Sequence, residues 1–204
     1  MKVKFGLSHV NFFVLTETTD PVTGAISMTY GEKIPAPGAV NLTLNVNDSD
    51  VTPFYADDGV YYMPAKKASG LTGELELALI PDALKTAAMN YIEDEDGVMV
   101  EVAESKNVYV GFTFEIDGDD KARKLVYYKA QLGQPNVSAA TTEDTKTPTT
   151  ETLPITVLPT NKEFTFGTGA DAVSTTVVSG YSTEDTDATV YADWHDEPHL
   201  PAEP

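Results

Sequence analysis

The chain has 204 residues, 41% of them hydrophobic and 22% charged, values ordinary for a globular protein long enough to bury a sizeable core in one domain. Thirty-two acids against thirteen bases give a formal charge of −19, which keeps a protein dispersed and repels nucleic-acid phosphates instead of gripping them. The absence of cysteine excludes disulfides, thiol catalysis and cysteine-ligated metals, and no apolar run approaches the roughly 20 residues of a membrane-crossing helix.

The first element is a strand, KVKFGLSHVNFFVL, expected over residues 1–16 as an N-terminal arm. Lys2 and Lys4 precede an apolar run, Phe12 to Leu15, that is too short for an export signal, so the chain is expected to stay where it is made. Val40, Leu42, Leu44 and Val46 then alternate with Asn41, Thr43 and Asn45, the period of a half-buried strand. A long loop is expected over 48–70. It carries Phe54, Tyr55, Tyr61 and Tyr62 around the turn signal Asp57-Asp58-Gly59. Loops are normally polar because their backbone faces water. Four aromatics there imply either folding back on the body or burial against another subunit.

Leu71, Gly73, Leu75, Leu77 and Leu79 make a second alternating face opposite Thr72, Glu74 and Glu76. Pro81 and Asp82 suit the first turn of a helix over 81–92, whose apolar stripe would be Leu84, Ala87, Ala88 and Tyr91. The acidic run Glu93 to Asp96 ends at Gly97 and reads as a solvated turn. Val108, Val110, Phe112, Phe114 and Ile116 form a third strand face, with Tyr109, Thr113 and Glu115 pointing outward. Asp117 to Asp120 then turns the chain into Lys121 to Leu132, a hairpin. Residues 138–152 are polar and threonine-rich, an exposed loop or linker. Leu153, Ile155 and Val157 mark another strand, which Pro154 assigns to a sheet edge. A short helix is expected at Ala188 to Trp194, capped by Thr186 or Asp187, within a C-terminal segment over 186–204. Tyr191 and Trp194 would share one face there, against the body or a neighbour.

Chemistry-bearing patterns are sparse. His195 and His199 have i, i+4 spacing, but Pro198 lies between them and no zincin-type Glu follows. His9 reads as a surface or interface residue. Neither Asp117-Gly118-Asp119-Asp120 nor Glu93 to Gly97 has the alternating ligands of a calcium loop, and Asp and Gly favour turns for backbone reasons. There is no Gly-x-Ser-x-Gly and no P-loop, and Gly167-Thr168-Gly169 lacks the third glycine of a dinucleotide fingerprint. A carboxylate pair of the glycosidase kind finds no support beyond chance among 32 acids. The expected fold is therefore mainly β: an antiparallel sandwich or barrel-like domain spanning 1–204 with one flanking α-helix and extended arms. No catalytic residue, metal or cofactor is expected.

Several segments together resemble the major tail proteins of long-tailed, non-contractile bacteriophages, the subunits of the tail tube. The likeness runs through KVKFGLSHVNFFVL, PGAVNLTLNV (Pro37 to Val46), Pro53 to Asp57, Gly73 to Pro81, FTFEIDGDDKARKLVYYKA and the closing TEDTDATVYADW. It implies a structural virion protein, made in the host cytoplasm and residing in the tail, with no membrane partner. Six copies would form a ring, and rings would stack head to tail into a conduit for DNA in transit. The tube would surround a tape-measure protein and meet a tail-terminator protein. The resemblance places inter-subunit contacts on Pro53, Phe54, Tyr55, Tyr61, Tyr62, Lys66 and Lys67 in the loop, and on Lys2, Phe5, Tyr191 and Trp194 in the arms. An acidic lumen would pass DNA by like-charge repulsion. The runner-up is a surface-displayed β-sandwich that binds carbohydrate or a host protein.

Overall fold

Among the residues described by the computed structural model (3–47, 54–62, 70–103, 107–118, 121–136, 149–169 and 172–202), the chain forms fourteen strands and two short helices. The side chains of Lys4, Phe5 and Val60 lie outside that description. The fold is mainly β, 54% strand against 8% helix, and its strand pairs are antiparallel. The main sheet runs in the order β2 (Ile26–Pro35), β1 (Lys4–Thr19), β9 (Tyr109–Gly118), β10 (Arg123–Leu132), β11 (Glu151–Val157), β6 (Leu71–Leu77) and β3 (Ala39–Val46). β14 (Ser179–Tyr181) adds to β10. Three hairpins stand apart from it: β4 (Phe54–Ala56) with β5 (Gly59–Tyr62), β7 (Tyr91–Glu93) with β8 (Met99–Glu101), and β12 (Glu163–Phe166) with β13 (Val173–Thr176). The helices are α1 (Asp82–Ala88) and α2 (Ala188–Asp193).

The sheet curls until its last strand, β3, returns alongside β1. The strap Ala36–Gly38 bridges the gap: the Ala36 N–H donates to the Val10 carbonyl at 2.9 Å, and the Ala78 N–H donates to the Gly38 carbonyl at 2.8 Å. Inside the curl lies the larger apolar cluster, built on Phe12, Val110, Phe112, Leu75, Leu77, Leu84, Leu153 and Ile155, each buried. β3 can approach β6 closely because residue 73 is glycine. A Cβ there would sit 1.8 Å from the Thr43 carbonyl oxygen.

A second cluster lies on the outer face of the same sheet. Leu15, Met28, Val126 and Tyr128 face outward and are covered by Phe164 of β12 and by Trp194, with Val190 and Leu200 packed beside them. β10 serves both clusters by alternation, and the residues that face inward change along it because the β9–β10 ladder shifts register between Tyr127 and Ala130. Before the shift Leu125 and Tyr127 pack on the inner cluster; after it Ala130 and Leu132 do. Such a bulge changes which face alternate residues occupy.

Several expectations are corrected. The N-terminal strand is no arm: β1 runs to Thr19 and lies between β2 and β9. Pro154 is not at an edge, since β11 sits between β10 and β6. Its carbonyl accepts from the Gly133 N–H at 2.8 Å, so the donor it lacks faces the same side, past the last β10–β11 pair, Leu132 with Ile155. The helix covers Asp82–Ala88 and not 81–92, because Asn90 takes a positive φ of 59° and Tyr91 begins a strand. The alternation from Leu71 ends at Leu77; Leu79 is exposed and Ile80 is buried instead. Thr113 and Glu115 do not face water, because the C-terminal segment covers them. Of the expected loop at 138–152, residues 138–148 lie outside the described residues, and Glu151 and Thr152 already belong to β11.

The bulge also buries a charge. Lys129, 3% exposed, sits in the register shift, and its Nζ meets Glu17 Oε2 of β1 at 2.6 Å and lies 4.3 Å from the centre of the Tyr109 ring. Glu17 also accepts from the Asn161 backbone N–H at 3.3 Å and from Asn161 Nδ2 at 2.8 Å. A cation withdrawn from water in this way needs its partner more than the fold needs the pair. Lys129→Met is expected to cost about 3 kcal/mol in urea unfolding, with Lys129→Met/Glu17→Leu recovering most of it. A double variant no more stable than the single one would refute this account.

Candidate functional site

The aromatic loop is a two-stranded hairpin. Ala56 pairs with Gly59 across a two-residue turn, and Asp57 and Asp58 take positive φ of 50° and 57°. Two consecutive positive φ values define the turn that matches strand twist, and short polar Asp side chains tolerate them. Phe54 and Tyr55 are successive residues of β4 and stand on opposite sides of the ribbon, while a register shift leaves Tyr61 as the extra residue of β5 between the Phe54–Tyr62 and Tyr55–Val60 pairs. All four rings are exposed, by 61%, 64%, 74% and 61% in that order. A hairpin folded back on the body would bury one of its faces, and this one buries neither. Phe54 and Tyr61 touch edge to face, with ring centres 6.5 Å apart. Covering one such ring completely is worth about 1.5–3 kcal/mol before association costs. Pro53, Lys66, Lys67 and Lys2 lie outside the described residues, as does the side chain of Phe5.

Beneath β3 the curled sheet leaves a groove of about 500 Å³ between that strand and the β9–β10 hairpin. Val40 of β3 is 56% exposed at its lip, and Leu42 and Leu44 are half-buried along its wall. Its floor includes Phe114 and Tyr127, stacked with centroids 6.1 Å apart and planes 10° from parallel. The sequence shows the four aromatics and their turn, as a loop, but not this groove, because its lining comes from separate strands, β1, β3, β9 and β10.

The C-terminal segment is a correction to the expected arm at 186–204. As far as residue 202 it lies on its own chain. Asp187 caps α2 by accepting from the Thr189 and Val190 N–H groups, which hold its carboxyl below the usual carboxylate range. The Tyr191 hydroxyl donates to the Ala122 carbonyl at 2.9 Å, and Lys124 Nζ donates to the Tyr191 carbonyl at 2.7 Å. Trp194 is 4% exposed in the outer cluster, stacked on His199 at 5.9 Å. Tyr191 and Trp194 therefore bind the segment to its own sheet, Trp194 buried and Tyr191 half-buried.

His195 anchors this layer. Its Nδ1 lies 3.0 Å from Thr113 Oγ1 and its Nε2 3.3 Å from Glu115 Oε2. His9 stacks on it, with centroids 5.6 Å apart and planes 20° from parallel. His9 stands at the register shift of β1 with a φ of 52°, a strained setting for a side-chain-bearing residue. Near-parallel rings do not aim two lone pairs at one ion, and no group of three or more His, Asp or Glu among the described residues is arranged to hold a metal. The cluster is a clamp. Burial pushes the His195 pKa down from its ordinary 6.5; the bond to Glu115 opposes this, while Lys124 and His9 add to it. A base with a depressed pKa contributes its full stability above the unfolded value and loses it as pH falls through 6.5. Amide protection at Val190–Trp194 is therefore expected to drop between about pH 7.5 and pH 5, and His195→Gln to remove that slope. A wild type with pH-independent protection over this window would refute it.

No family model matches this chain, and no curated protein matches it.

Proposed function

We propose that this chain is a structural subunit that assembles with copies of itself into the tail tube of a long-tailed, non-contractile bacteriophage. The observation that carries the reading is the hairpin of four exposed aromatic rings on a protein that is otherwise strongly acidic. Aromatic side chains at such exposure are characteristic of buried anchors in protein interfaces. The segments that resemble tail-tube subunits include this hairpin's first strand and the strands on either side of it. Self-association through it would be a subunit contact in a stack of rings, with DNA, the tape-measure protein and the tail-terminator protein as partners of the finished tube.

The same exposed rings also suit a surface-displayed module, since aromatic faces stack on sugar rings. Negative-stain electron microscopy of the concentrated protein, alongside light scattering, separates the two. Rings or hollow tubes are the expected result; a monomer at every concentration that binds a glycan would replace the tube reading with the second one.

Phe54→Ala with Tyr55→Ala is expected to change fold stability by less than about 1 kcal/mol, because both side chains are exposed. The same double variant should weaken self-association at least tenfold, measured by sedimentation velocity. Unchanged assembly, or loss of the fold in circular dichroism, would deny the hairpin this role.

A further inference from the structure

We propose that the aromatic hairpin of one copy seats in the uncharged groove beneath β3 of the next copy. This deepens the tail-tube reading and rests on it. None of the ten residues lining the groove is Asp, Glu, Lys or Arg. On a chain with a formal charge of −19, two copies approaching by most of their surfaces bring acid against acid. A concavity free of charge is where a second copy can settle without that cost. The larger concavity beside α2 is lined by Asp193, Asp196 and Glu197, and it suits an acidic partner poorly.

The hairpin matches the groove in chemistry. Its only acids, Asp57 and Asp58, are confined to the turn, and the flanking strands carry the four rings. Laid along the groove by its strands, it would keep both carboxylates in water while its rings meet Leu42, Leu44, Phe114 and Tyr127. Stacked aromatic floors favour aromatic guests through offset and edge-to-face contacts. The hairpin does not occupy the groove of its own chain, since none of its residues lines that groove and all four rings face solvent. Donor and acceptor are different surfaces of one molecule, so each copy uses both, and the contact continues from copy to copy unless its rotation closes a ring.

The cysteine-free sequence makes the test direct. Tyr61→Cys and Val40→Cys, both at exposed positions, are prepared separately, mixed where the wild type associates, and oxidised. The mixture is expected to give a disulfide-linked dimer at least fivefold above either variant alone. Val40→Asp places a carboxylate at the lip of the groove on an exposed residue, so the fold is spared, as circular dichroism would verify. It should weaken self-association at least tenfold.

Wild-type-strength assembly of Val40→Asp, with no mixed disulfide, overturns the groove contact and leaves the tube reading standing. A Tyr61→Cys/Val40→Cys double variant that closes an internal bridge at every dilution also overturns it, by returning the hairpin to its own groove. A wild type that never associates overturns both.

Discussion

Between Tyr127 and Ala130 the β9–β10 ladder slips by one residue, so that Tyr128 and Lys129 together oppose Gly111. Without the slip, β10 would present one set of alternate side chains inward along its whole length. With it, Val126 and Tyr128 reach the outer cluster while Ala130 and Leu132 close the inner one. Both faces of the middle of the β9–β10 pair are covered, and Gly111, Phe112, Thr113 and Phe114 are buried in succession. The curl of the sheet depends on the inner cluster, and the C-terminal layer depends on the outer one. Lys129 falls at the slip, which is why a lysine enters a dry place and why Glu17 must follow it there.

Among the described residues, the few bases are largely engaged within the chain. Lys33 pairs with Asp196 at 2.7 Å, Lys85 with Asp82 at 3.2 Å, Lys129 with Glu17, and Lys124 holds the Tyr191 carbonyl while lying 4.3 Å from the centre of its ring. The exposed pairs among them add little stability. Their effect is on what remains, a surface whose unbalanced acids discourage close approach. Uncharged surface is then the scarce resource, and the hairpin strands and the groove beneath β3 are two places where it is gathered.

Much of the sheet was legible because alternation is local: Leu42 and Leu44, Leu71 to Leu77, and Val110 to Ile116 all pack on the inner cluster. The Asp57–Asp58 turn and the Asp187 cap were legible for the same reason, since each depends on two or three adjacent residues. What escaped depends on distant partners. Thr113 and Glu115 read as outward residues because nothing within their strand announces that His195 will lie over them. Pro154 read as an edge residue because its sequence does not say that β10 ends opposite it. Period-two reading also breaks at every register shift, and β1 has two of them against β9. Of the candidate site, the four aromatics and their turn were visible in one stretch of sequence, read as a loop, whereas the groove exists only once β1, β3, β9 and β10 are assembled.

The placement of β1 sets an order of events during synthesis. Its pairing with β2 is local, Thr19 opposite Ile26, and that hairpin can close as soon as both strands exist. Its other edge waits for β9, where Phe12 faces Phe112 across 100 residues of chain. At roughly 5–20 residues per second, a ribosome needs about 5–20 s to supply that partner. For that interval Phe12 and Phe13, fully buried in the finished fold, belong to a half-built sheet with an open edge. The nascent chain is thus more prone to wrong pairings early in its life than at any time after β9 arrives.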